Sequence, residues 1–77
     1  MRSLSVIARE IEKEWVNVSP YAQPYLSAMK EIDSVDDDFY RDSGDAVVLY
    51  FLSNANGWRG GKAREIKAEL RRMVYLK

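Results

Sequence analysis

The sequence predicts an all-α protein, a compact four-helix single domain over residues 1–77, with helices at about 3–17, 23–32, 43–55 and 60–75 and helix three central and buried. Three observations carry this expectation. Apolar residues recur at three- and four-residue spacing near both ends of the chain, which marks one face of a helix. Turn-forming residues separate the apolar stretches. Seventy-seven residues are enough for one core and no more. A chain of this length buries only about 60 % of the surface its unfolded form exposes. The core must therefore be efficient, and the five Tyr, two Phe and two Trp supply the volume.

Helix one carries Leu4, Ile7, Ala8, Ile11, Trp15 and Val18 as its stripe, with Arg9, Glu10, Glu12, Lys13 and Glu14 mostly off it. Ser3 is its natural N-cap. The turn-rich stretch 19–24 follows, and Pro24 suits the first turn of a short second helix. Its inward candidates are Tyr25, Leu26, Met29 and Ile32. Residues 33–41 are too acidic and irregular for a core element and read as a loop, with at most a helical turn near 36–39.

Asp42 or Ser43 then caps helix three, with Asp45 in its first turn. Residues 46–52 are apolar all round, so periodicity does not separate a buried helix from a buried strand there. The Val-Val and Tyr-Phe pairs favour strand. The cap favours helix, and so does the absence of a partner strand for the backbone. Helix is the expectation. The Asn54–Gly57 cluster stops it, because Asn and Gly tolerate left-handed backbone. In the fourth helix Ala63, Ile66, Leu70, Met73 and Val74 form one face, and Arg64, Lys67 and Arg71 another.

Composition excludes most chemistry. The chain has no cysteine and no histidine, so it has no disulfide, no thiolate ligand and no imidazole base for a serine nucleophile. Residues 56–63 imitate a phosphate loop after an apolar run. Asn56 replaces the first glycine and Ala63 the magnesium-binding hydroxyl, so the pattern fails. An EF-hand loop opening at Asp36 would need glycine where Arg41 stands. The expectation is a non-enzymatic protein with no metal and no cofactor. Charged residues within 1–20 break the apolar stretch a signal peptide needs, and the longest apolar run, seven residues at 46–52, is too short to span a bilayer. A soluble, cytoplasmic protein without a membrane partner follows.

Net charge is zero with an uneven distribution. Residues 31–45 hold Glu31, Asp33, Asp36, Asp37, Asp38, Asp42 and Asp45 against Arg41 alone. Residues 59–77 hold Arg59, Lys62, Arg64, Lys67, Arg71, Arg72 and Lys77 against Glu65 and Glu69. Such segregation either marks a partner-facing surface or lets the two segments face each other or simply stay solvated. Trp58 beside Arg59 also has two readings. It is an exposed binding anchor or a core plug between helices three and four. Gly57, Gly60 and Gly61 weaken the junction entropically and so need a geometric or functional reason. The candidate partner-binding residues are Trp58, Arg59, Arg64, Lys67 and Arg71, for a protein partner. The alternative is nucleic-acid binding through helices three and four as a helix-turn-helix variant. Its 54–60 connection is longer than usual.

Residues 3–18, 24–29 and 48–55, and Trp58-Arg59-Gly60 with Ala63, Ile66-Lys67 and Glu69-Leu70, resemble small uncharacterised proteins encoded by phages and prophages of Gram-positive bacteria, mycobacteriophages included. The resemblance covers most of the chain, and Trp-Arg-Gly before the last helix is its most specific part. It implies a phage-type accessory protein in the host cytoplasm, and it assigns no activity and no site residues.

Overall fold

A serine starts each of the first and third helices in the computed structural model, which describes residues 2–75. Ser3 is extended, and its hydroxyl accepts the Val6 N–H at 3.3 Å. Helix α1 (Leu4–Glu14) buries Leu4, Ile7, Ala8 and Ile11. It is shorter than the expected 3–17. At Trp15 the backbone leaves helical geometry and the indole is buried, whereas Val16 and Asn17 beyond it are exposed.

Helix α2 (Gln23–Met29) takes Pro24 in its first turn and buries Leu26, Ala28 and Met29. It stops before the expected Ile32, which still reaches the core from a coil.

The all-α expectation needs correcting between α2 and α3. Strands β1 (Asp38–Phe39) and β2 (Asp42–Ser43) pair antiparallel, Asp38 with Ser43 and Phe39 with Asp42. Nor is 33–41 excluded from the core, since Val35 is buried and Phe39 packs against the core cluster. A two-residue ribbon has no stability of its own. It holds because the chain around it is tied into two helix starts. One Asp37 carboxylate oxygen accepts the N–H groups of Asp33 and Ser34, at 3.0 and 3.1 Å. The Leu4 N–H donates to the Asp33 carbonyl at 2.9 Å, and the Asp45 N–H to the Val35 carbonyl at 3.1 Å. The Asp37 side chain thus serves as a local staple, a role that periodicity does not reveal. At the hairpin tip Tyr40 takes a φ of 56°, in the left-handed region.

Helix α3 (Gly44–Ser53) is capped by Ser43, whose hydroxyl accepts the Ala46 N–H at 3.2 Å. It lies against α2, the hairpin and helix α4 (Gly61–Tyr75), while α1 lies against α2 and α4. α3 is central in that sense but not buried all round. Val47, Val48 and Phe51 are buried, Leu49 and Leu52 are half-buried, and Tyr50 is exposed on the edge facing Tyr25. Three neighbouring elements in so short a chain do not enclose a fourth. Ser53 and Asn54 side chains close its end by donating to the Leu49 and Tyr50 carbonyls. α4 runs as expected, with Ala63, Ile66, Leu70 and Met73 inward. Among the described residues, no helix is long and apolar enough to cross a membrane.

Candidate functional site

Trp58 and Arg59 lie in the junction between α3 and α4, Arg64, Lys67 and Arg71 follow along α4, and the structure divides these candidate partner-binding residues into two groups. Trp58 belongs to the core. Only 5 % of it is exposed, and its ring stacks on Trp15 with centroids 5.6 Å apart and planes 8° from parallel. Trp15 in turn meets the Phe51 ring edge-on at 6.2 Å. Trp58 is therefore not an exposed anchor. The end of α1 arrives from far along the chain to cover it, and that approach is invisible in the local sequence. Of the junction glycines only Gly60 has a conformation that calls for glycine, with φ 113°. A Cβ at Gly57 or Gly61 would meet nothing within 4 Å.

Lys67 also leaves the candidate binding face. Its Nζ donates to the carbonyls of Ala55 and Trp58, at 2.7 Å each, and sits 5.9 Å from the centre of the Trp58 ring. These carbonyls lie just past the end of α3, where helical partners run out, so the ammonium clasps the turn. Burial pushes the Lys67 pKa down, with smaller contributions from Arg71 and Arg59. The two carbonyls act in the opposite sense by favouring the charged form. Lys67→Met is expected to cost about 1.5–3 kcal/mol, the range for hydrogen bonds to a charged group. Urea unfolding measures it, and a change below about 0.5 kcal/mol would mean the clasp contributes nothing.

Arg59, Arg64 and Arg71 are exposed. Four ion pairs are present among the described residues: Arg2–Glu10 at 2.6 Å, Arg2–Glu69 at 2.6 Å, Lys30–Glu12 at 2.8 Å and Lys62–Glu10 at 3.3 Å. None uses those three arginines, and none uses the exposed acids Glu31, Asp33, Asp36, Asp38 or Asp42. Among the described residues no ion pair joins Arg59, Arg64 or Arg71 to these exposed acids. No group of three acids converges as a metal site among the described residues.

The sequence reading missed Arg2, which ties the start of α1 to α4. Its guanidinium hydrogen-bonds Glu69 and Glu10, which hold it protonated and are themselves held below the ordinary carboxylate pKa of 4.5. Lowered folded pKa values mean that this stabilisation is present above pH 4.5 and is lost as pH falls through the folded values. Arg2→Ala is expected to melt lower than the parent at neutral pH, with the gap narrowing as pH drops below 4.5. Melting curves between about pH 3 and 7 test this, and a gap that widens in acid would contradict it.

Comparison with family models, curated proteins and solved structures finds no match to this chain.

Proposed function

We propose that the chain is a non-enzymatic accessory protein, of the phage-encoded kind its sequence resembles. It acts in the host cytoplasm by docking an acidic protein surface on the outer face of α4. The observation that carries this reading is the set of exposed arginines at 59, 64 and 71, which stand outside every ion pair among the described residues. Arg64 and Arg71 are seven residues apart, so they lie on one helix face about 10.5 Å apart along its axis. Guanidinium forks at that spacing suit carboxylates on a facing surface. With Trp58 and Lys67 committed to the fold, the arginines are what the junction and the outer face of α4 offer a partner.

Nucleic acid is the weaker reading because a duplex is longer than the basic stripe. A duplex laid along α4 would reach Arg72 and Met73, which line a cleft with Asp33 and Asp36. At physiological salt, charges within about 8 Å still interact, so these acids would repel the nearby phosphates.

Capture from host lysate separates the possibilities, using the parent and an Arg64→Glu/Arg71→Glu variant shown by its melting temperature to be folded. The expected result is a protein partner that survives nuclease treatment and is lost by the variant. Unchanged capture by the variant would remove α4 as the docking face. Capture abolished by nuclease would transfer the face to nucleic acid.

A further inference from the structure

We infer that the outer face of α4 also receives the acidic hairpin of a second copy of this chain, so that copies associate head to tail. The inference rests on the reading of α4 as a docking face and names an occupant for it. Its basis is charge complementarity within one molecule. Asp36, Asp38 and Asp42 in and beside the hairpin are exposed and outside the four ion pairs, as are Arg59, Arg64 and Arg71. Among the described residues no ion pair joins the two patches within one copy, although the far end of α4, beyond Arg71, lies beside Asp33 and Asp36. The hairpin is held at the start of α3, where the Gly44 N–H donates to the Asp37 carbonyl at 2.6 Å and the Asp45 N–H to the Val35 carbonyl. Arg59 and Arg64 lie at the opposite end of the α3–α4 pair, around the start of α4.

Each patch also carries an exposed aromatic that adds apolar contact to the charge. Tyr40 at the hairpin tip is 88 % exposed, and Tyr75 at the end of α4 is 66 % exposed. Tyrosine is among the side chains that contribute most where two proteins meet. The two patches differ, so the contact is heterologous, and each copy keeps one free patch of each sign. Association then extends to short chains or a closed ring instead of stopping at a two-fold dimer. Exposed ion pairs contribute little individually and are screened by salt, so the association is weak and salt-sensitive.

Sedimentation equilibrium at about 200 µM protein, where weak contacts are populated, tests the inference in low and in high salt. The expected result is a weight-average mass above the 8.9 kDa of one chain at low salt, falling to that value at high salt. Arg64→Glu/Arg71→Glu and Asp36→Lys/Asp38→Lys should each weaken association at least about ten-fold, and mixing the two variants should restore it. Arg64→Gln/Arg71→Gln repeats the test with a milder change. The chain has no cysteine, so Asp38→Cys and Arg64→Cys can be placed in separate copies. Their mixed disulfide should form faster than either homodimer.

A single-chain mass at low salt would overturn the inference, as would association indifferent to both charge reversals. If lysate capture still depends on Arg64 and Arg71 in that case, the docking face stands and only the second copy is removed as its occupant.

Discussion

Trp58→Ala is expected to destabilise the protein by about 3–5 kcal/mol, the cost of removing a large buried aromatic and leaving a cavity. The stacked contact with Trp15 adds to the loss, since aromatic pairs contribute about 0.5–1.5 kcal/mol beyond their buried area. Domains of this size have roughly 0.05–0.15 kcal/mol of stability per residue, so the loss is a large fraction of the total and should move the urea midpoint well down. The cavity would open where α1 ends, α3 ends and α4 begins, so no single neighbour can move in to fill it. Trp15→Ala should cost a similar amount. The double variant should cost less than the sum, because the two rings share one contact. Urea unfolding followed by far-UV circular dichroism measures all three. A Trp58→Ala protein that loses less than about 1 kcal/mol would place the ring outside the core and restore it as a candidate anchor.

Gly44→Ala should be nearly as damaging, at about 2–3 kcal/mol, although it adds a single methyl group. A Cβ at this position would stand 2.7 Å from the Ser34 carbonyl oxygen and 2.8 Å from both the Cα and the carbonyl oxygen of Val35. All three are backbone atoms, so no side chain can rotate aside. Relief requires moving the 33–37 turn, and that turn holds the starts of α1 and α3 through the hydrogen bonds from Leu4 and Asp45. Gly57→Ala is the matched control, because a Cβ there meets nothing within 4 Å. Equal melting temperatures for the two variants would mean the close approach at Gly44 is not what glycine is needed for.

How much of this was legible beforehand differs from element to element. The faces of α1 and α4 follow from sequence because each is amphipathic, and helical period alone selects Leu4, Ile7, Ile11, Ile66 and Leu70 as inward. The serine caps and the first-turn proline are equally local. Residues 46–52 sat at the edge of legibility. Periodicity did not choose between helix and strand there, and the cap at Ser43 did. Segment 33–41 departs from the expected loop because its acidity does not keep its apolar residues out of the core. Asp37 spends its charge on backbone N–H groups, which lets Val35 enter the core beside it.

The candidate site divides in the same way. That Arg59, Arg64 and Arg71 are exposed cations follows from sequence, since charge and helical spacing keep them off the apolar face. The roles of Trp58 and Lys67 were decided only in three dimensions. One is fixed by a ring 43 positions earlier in the chain, the other by two carbonyls 9 and 12 positions earlier. The physical reason is the range of the signal. Helical period, capping and charge act over a few neighbouring residues and so can be read from order alone. Which side chain covers Trp58, which carbonyls are left for Lys67, and which backbone presses on Gly44 depend on where distant segments meet, and only the packed chain decides that.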